Sequence, residues 1–136
     1  MVNPTIARLR DAVNAHDPAG MAATMAPDYR SDQPVHPNRH FVGNDQVVAN
    51  WTEMFRGVPD MHLEVLAEAT EGNTSLSEWA FSGHHTDGTP FDFRGVYVCG
   101  LREDGLIQWA RLYLETVEQD SPAIEEAVHE LSGSEG

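Results

Sequence analysis

Between Met61 and Val117 apolar and polar residues alternate with a period of two, broken at regular intervals by turn-forming pairs. Met61, Leu63, Val65 and Ala67 alternate with His62, Glu64 and Glu68, as in a strand with one face to the core and one to water. Glu71-Gly72-Asn73 is a hairpin signal. On the next strand Trp79, Phe81, Gly83 and His85 share a face, opposite Glu78, Ala80, Ser82 and His84. After Asp87-Gly88, Phe93, Gly95, Tyr97, Cys99 and Leu101 alternate with Arg94, Val96, Val98 and Gly100. Asp104-Gly105 turns the chain into a last strand, Leu106 to Val117. The pattern predicts four strands in succession, with Trp79 and Tyr97 facing inward.

The preceding segment has helical periodicity. Asn3-Pro4 reads as an N-cap with proline at the first helical position, and Ile6, Leu9 and Val13 then recur on one face. His16-Asp17-Pro18 ends that helix and caps a second, with Met21, Ala22 and Met25 inward and Pro27 as its stop. Tyr29 to Val35 reads as a short strand, which Pro34 and Pro37 confine to an edge or a loop. Gly43-Asn44-Asp45 starts a third helix with a broad apolar stripe of Val47, Val48, Trp51, Met54 and Phe55. Helices followed by a run of strands predict an α+β fold: a curved antiparallel sheet, with three N-terminal helices covering its concave face and enclosing a pocket.

Composition narrows the function classes. At 136 residues the chain is one domain, here residues 1–120, followed by an acidic C-terminal helix or frayed tail over 121–136 that carries Glu125, Glu126, Glu130 and Glu135. The single cysteine, Cys99, excludes an internal disulfide and a cysteine-rich metal site. The net charge is −14, with 22 acidic residues against 8 basic ones, all arginine. That sign disfavours nucleic acids and anionic membranes as partners. With no apolar leader and no membrane-length run, a cytoplasmic location is the expectation. There is no glycine-rich phosphate loop and no nucleophile elbow, so no cofactor is implied. The adjacent His84 and His85 point to opposite faces of a strand and do not make a metal pair, so no metal is expected either.

Several phrases, in order, resemble the NTF2-like superfamily and within it the SnoaL-like proteins. Val13-Asn14-Ala15-His16-Asp17 is similar to the family's "LNAGD" break between the first helices. Phe41-Val42-Gly43-Asn44-Asp45-Gln46-Val47 resembles its "F-x-G-x-x-x-V". Phe55 to Asp60 resembles "F-x-x-x-P-D", and Trp79 to His85 resembles "W-x-x-x-G-x-H". The resemblance spans about residues 5 to 117 and implies the cone-shaped α+β fold that hosts polyketide cyclase-like and ketosteroid isomerase-like proteins. It also implies which positions carry chemistry in relatives. The isomerase base falls at Gln33, its first-helix tyrosine at about Leu9 and its strand aspartate at Tyr97; the cyclase acid/base aspartate falls at Leu112. Neither glutamine nor leucine takes up a proton at neutral pH.

The remaining candidates follow from chemistry. Tyr97, facing inward, is a hydrogen-bond donor suited to a carbonyl or enolate oxygen. His36 or Asp32, near the predicted mouth of the cone, is the candidate base, with Gln33 as an amide contact to a ligand. Trp51, Phe55, Trp79, Phe81, His85 and Leu112 are the expected pocket wall. On the last strand Trp109, Arg111 and Tyr113 form a face rich in aromatics and arginine, which suits a homodimer interface. Two functions stay open: a cofactor-independent proton-transfer enzyme of isomerase, cyclase or dehydratase type acting on an apolar or carbonyl-bearing small molecule, and a non-catalytic binding or accessory protein using the same cavity.

Overall fold

The computed structural model describes residues 2–133. Three helices, α1 (Pro4–Asn14), α2 (Pro18–Ala22) and α3 (Asn44–Gly57), alternate with the start of a sheet and lie against it. Its strands are β1 (Met25–Asp32), β2 (Phe41–Val42), β3 (His62–Glu71), β4 (Thr74–His84), β5 (Pro90–Leu101) and β6 (Ile107–Thr116), in the spatial order β2-β1-β6-β5-β4-β3. A last helix, α4 (Ile124–Ser132), follows, with Ile124, Val128 and Leu131 exposed along one stripe. Thus residues 124–132 of the acidic segment are helical, while Glu135 lies outside the described residues. Among the described residues no helix is long and apolar enough to cross a membrane.

Local chemistry starts and stops these elements. Asn3 Oδ1 accepts from the Thr5 amide, and Asp17 caps α2 by accepting from Gly20 N–H. Ile6, Leu9 and Val13 of α1 are fully buried, as their spacing predicts, and each is worth about 1.5–3 kcal/mol of hydrophobic stabilisation. Asn14 behaves like a piece of strand. Its amide donates to the Leu63 carbonyl at 3.0 Å and accepts from Leu63 N–H at 2.7 Å, tying α1 to β3. His16 takes a left-handed conformation (φ 53°) where the resembling motif has glycine. That costs a side-chain-bearing residue ~1–2 kcal/mol. The corner is held by a bond between His16 Nε2 and the Met61 carbonyl (2.8 Å) and by stacking on Phe55 at 4.7 Å.

Four expectations are corrected. The second helix ends at Ala22, and Met25 to Pro27 already belong to β1. Proline is tolerated there because the register against β6 shifts between Met25 and Arg30, so its missing N–H falls in an irregular stretch. The first strand is interior rather than an edge: β1 lies between β2 and β6, and it runs parallel to β6, so the sheet is mixed. Finally, β3 carries a bulge between Val65 and Ala67. The extra residue, Leu66, flips the parity, so Ala67 turns out to solvent and Glu68 turns in beside Ser75, whose hydroxyl donates to it at 3.1 Å.

The other strands keep the predicted parity. Ser75, Ser77, Trp79, Phe81, Tyr97, Cys99, Ala110 and Leu114 are all buried beneath the helices. β5 and β6 approach each other very closely at Gly95. A Cβ there would stand 1.8 Å from the Tyr113 carbonyl oxygen and 2.8 Å from Leu114 Cα, so only glycine lets β5 and β6 approach this closely. Gly95→Ala is expected to lower stability by about 3 kcal/mol, because backbone rather than a movable side chain blocks the methyl. Gly57→Ala, with nothing within 4 Å of its added methyl, is expected to change it little. Denaturant unfolding of the two variants checks the contrast.

Candidate functional site

Under the helices the bent sheet encloses a cavity of about 200 Å³. Its wall is mostly apolar. Leu9 comes from α1 and Met21 from α2. Val47, Trp51 and Met54 come from α3 at successive turns, and Trp79, Phe93, Leu112 and Leu114 come from the sheet. A larger open cleft of about 660 Å³ lies elsewhere, around Asn3, Arg8, Asn73 and Arg102. It is a surface groove between turns, without the enclosed apolar wall that holds a small molecule.

The polar groups of the cavity are few and specific. The Tyr29 and Tyr97 hydroxyls lie 3.0 Å apart, both rings buried. Tyr97 stacks on Trp79 at 4.6 Å and 17°. The Trp79 indole N–H is spent on Ser77 Oγ (2.8 Å), so only its ring face is left for other contacts. Burial pushes the Tyr29 phenol up to about 12, against the favourable neighbouring hydroxyls of Tyr97 and Ser31. Burial raises Tyr97 well above the ordinary phenol range, and the adjacent Tyr29 adds to it. Both are therefore neutral donors. Two hydroxyl protons serve one mutual hydrogen bond, so one proton is left for a ligand.

Two amides complete the set. Gln33 Oε1 accepts from Arg39 Nη1 at 3.1 Å, and Asn50 Oδ1 accepts from Gln46 at 2.7 Å. In each case the NH₂ is the group left to face a ligand. The cavity thus offers donors, and among the described residues no carboxylate or imidazole lines it.

The structure brings Leu9, Gln33, Tyr97 and Leu112, the four positions that the resemblance marked, to this one cavity, together with Trp51 and Trp79. Other expected residues lie outside it. Asp32 alternates to the outer face and pairs with Arg30 at 2.8 Å. His36 reaches round to Glu115 (2.5 Å), a residue of the outer side of β6. Phe81 is core behind the wall, packed on Trp51 and Phe93. Phe55 is occupied by His16. His85 is exposed at the β4–β5 hairpin, edge-on to Phe91. There the chain is already leaving the sheet, so strand parity no longer aims its side chain at the cavity. Its neighbour His84 is held by Asp60 (2.7 Å), whose carboxyl is kept below its usual range by that imidazole and by the His84 amide. Cys99 is buried, and burial pushes its thiol up to about 12, which suits an inert core residue.

Tyr29, Ser31 and Asn50 were not among the residues expected here. The signal for the first two was present: the parity that turns Gln33 inward also turns Tyr29 and Ser31 inward. Asn50 sits one residue before Trp51 on the stripe of Val47 and Met54, a polar residue on an apolar helical face.

No curated protein matches the chain. Solved structures do, all at identities that speak for the fold alone. A ketosteroid isomerase-like protein from Catenulispora acidiphila, crystallised with trimethylamine, superposes with a TM-score of 0.72 at 14% identity, covering 82% of this chain and 85% of that one. A putative SnoaL-like polyketide cyclase from Jannaschia sp. gives 0.69 at 21% identity over 84% and 90%. IdmH of Streptomyces antibioticus, a putative polyketide cyclase, gives 0.70 at 20% identity over 81% and 88%. The model of the SnoaL-like domain matches residues 6–112, and the chain belongs to that family.

Proposed function

We propose that this chain binds a neutral, flat, largely apolar molecule through a carbonyl oxygen, which accepts from the Tyr29–Tyr97 pair while its rings stack between Trp51 and Trp79. One observation carries the reading: the cavity's polar groups are all donors or neutral hydroxyls and amides, with no group that accepts a proton at neutral pH. An acceptor-bearing neutral ligand gives the free phenol proton a partner, and an unmet buried donor costs about 1–3 kcal/mol. The volume suits a two-ring compound. Between the two functions open from the sequence, this favours binding. A proton-transfer enzyme needs a base at the reacting carbon, and both Asp32 and His36 are engaged outside the cavity. The phenol pair alone supplies carbonyl polarisation.

A neutral aromatic ketone, 2-acetylnaphthalene, tests this through the fluorescence of Trp51 and Trp79. Tyr97→Phe and Tyr29→Phe are each expected to weaken it about tenfold, and to leave 2-ethylnaphthalene, which lacks the oxygen, unchanged. Equal loss for both compounds sinks the carbonyl contact. Affinity is expected to stay flat through pH 10.0, where an ordinary phenol is half ionised, and to fall only towards about 12, because the neutral donor is the binding form. Enzyme-dependent exchange of the ketone's α-hydrogens in heavy water would overturn the non-catalytic reading.

We also propose a homodimer through the outer sheet face. Leu76 and Tyr113 are 46% and 41% exposed there, beside Val96, with Trp109 and Arg111 towards the β1 side. Glu78 and Arg94 give the same patch both signs of charge, so a two-fold axis can set unlike charges opposite each other. Light scattering is expected to give twice the chain mass of 15.0 kDa, and Leu76→Glu to give one copy with ketone binding intact.

A further inference from the structure

The chain has 8 arginines among 22 carboxylates. Five of them, Arg10, Arg30, Arg56, Arg94 and Arg102, lie 2.8–3.3 Å from a carboxylate close in sequence. Among the described residues Arg8, Arg39 and Arg111 have no such partner, and two of these three are linked to one residue, Gln33: Arg39 by a hydrogen bond and Arg111 by lining the same hollow. A second hollow, of about 400 Å³, opens at the end of β1, where Arg30, Asp32, His40 and Arg111 surround Gln33. Gln33 also lines the apolar cavity, and it is the side chain to which Arg39 donates. Arg111 sits over the Trp109 ring, its Cζ 4.6 Å from the ring centre, a contact that uses the face of the guanidinium cation and none of its N–H groups as a donor to a carboxylate. Arg30 and Arg111 thus line the hollow with Asp32, which pairs with Arg30, while Arg39 holds the Gln33 carbonyl, in a protein whose net charge is −14.

Two arginines without a carboxylate partner close in sequence, Arg39 and Arg111, thus flank Gln33, and excess carboxylates elsewhere on the chain are screened from them beyond a Debye length. Such a cluster is stable and useful where it meets an anion. Guanidinium groups in particular match the planar fork of a carboxylate. We infer that the natural ligand is a keto acid: an apolar, carbonyl-bearing head in the cavity and a carboxylate-bearing tail that leaves past Gln33 to lie among Arg39, Arg111 and Arg30. This rests on the reading of the cavity given above and names the other end of its ligand. Gln33 is then the residue at which the apolar and ionic parts of the site join, with its NH₂ directed to the ligand and its carbonyl to Arg39.

The probes are 4-(2-naphthyl)-4-oxobutanoate and its methyl ester, which share the aromatic ketone and differ in one charge. Tryptophan fluorescence is expected to show the acid binding about tenfold more tightly than the ester at low ionic strength, with the gap closing as salt rises. The double variant R39A/R111A is expected to remove the preference, the acid then binding no more tightly than the ester does to the same variant. Arg39→Ala alone, on the loop and away from the sheet face, should lower it, and R39K/R111K should restore part of it. Arg8→Ala makes the same change in net charge at the far end of the molecule and should leave the preference intact. Equal affinity of acid and ester overturns the inference, as does a preference that survives R39A/R111A or falls as much in Arg8→Ala. A preference lost only when Arg111 is changed and the light-scattering mass changes with it assigns the effect to assembly and also overturns it. If neither probe binds, the reading of the cavity fails and takes this one with it; if the ester binds as well as the acid, the cavity stands and only the anionic end is lost.

Discussion

The cavity depends on how closely β5 and β6 approach at Gly95. With the Tyr113 carbonyl occupying the space of a side chain, the two strands lie too near for any other residue within the curved sheet. A flat sheet covered by three helices would fill its interface with side chains. A bent one leaves a hollow between the bend and the helices, and here the hollow is walled by Trp51 on one side and Trp79 on the other. Two residues beyond the bend, Tyr97 is carried to within 3.0 Å of Tyr29 from the parallel strand β1.

The site is built from neutral groups, and this follows from its burial. A lone carboxylate in so apolar a cavity would be driven towards its protonated form, and a lone imidazole towards its neutral form. Phenols and amides keep their donors without ionising, at the cost only of finding partners for their other atoms. Each has one: Tyr29 with Tyr97, Gln33 with Arg39, Asn50 with Gln46. The charged groups stay outside, where Asp32 meets Arg30 and His36 meets Glu115 in solvent. In this family's fold the same hollow carries different chemistry according to which side chains project into it. In this chain those positions hold Leu9, Gln33, Tyr97 and Leu112.

The corners of the helical layer show how local strain is absorbed. His16 occupies a left-handed position that glycine would take at no steric cost, yet it gains a bond to Met61 and a stacking partner in Phe55. Phe55 is thereby committed to the corner and not to the pocket. Asn14 and Asn44 act similarly as bridges, the one to β3 and the other to the carbonyls of Ala22 and Met25. These contacts position Met21 and Val47 over the cavity without contributing to its chemistry.

Periodicity alone determined much of this protein. Alternation in β4, β5 and β6 places Trp79, Tyr97 and Leu112 inward, because successive side chains of a strand must point to opposite faces. The stripe through Val47, Trp51 and Met54 likewise follows from 3.6 residues per turn. What periodicity does not contain is any break in its own rule. The bulge at Leu66 reverses the faces of β3 from that point, and nothing in a run of alternating residues announces an extra one. It also does not contain pairing between distant strands. The parallel alignment of β1 with β6 took Pro27 into an irregular stretch, moved the first strand from the edge to the interior, and joined Tyr29 to Tyr97 across 68 positions of sequence. The outward turn of Asp32 was legible from its neighbour Gln33, but the course of the loop that carries His36 to Glu115 was not. Local pattern specifies which face of an element is apolar; only the packing of those faces against one another decides which polar groups meet.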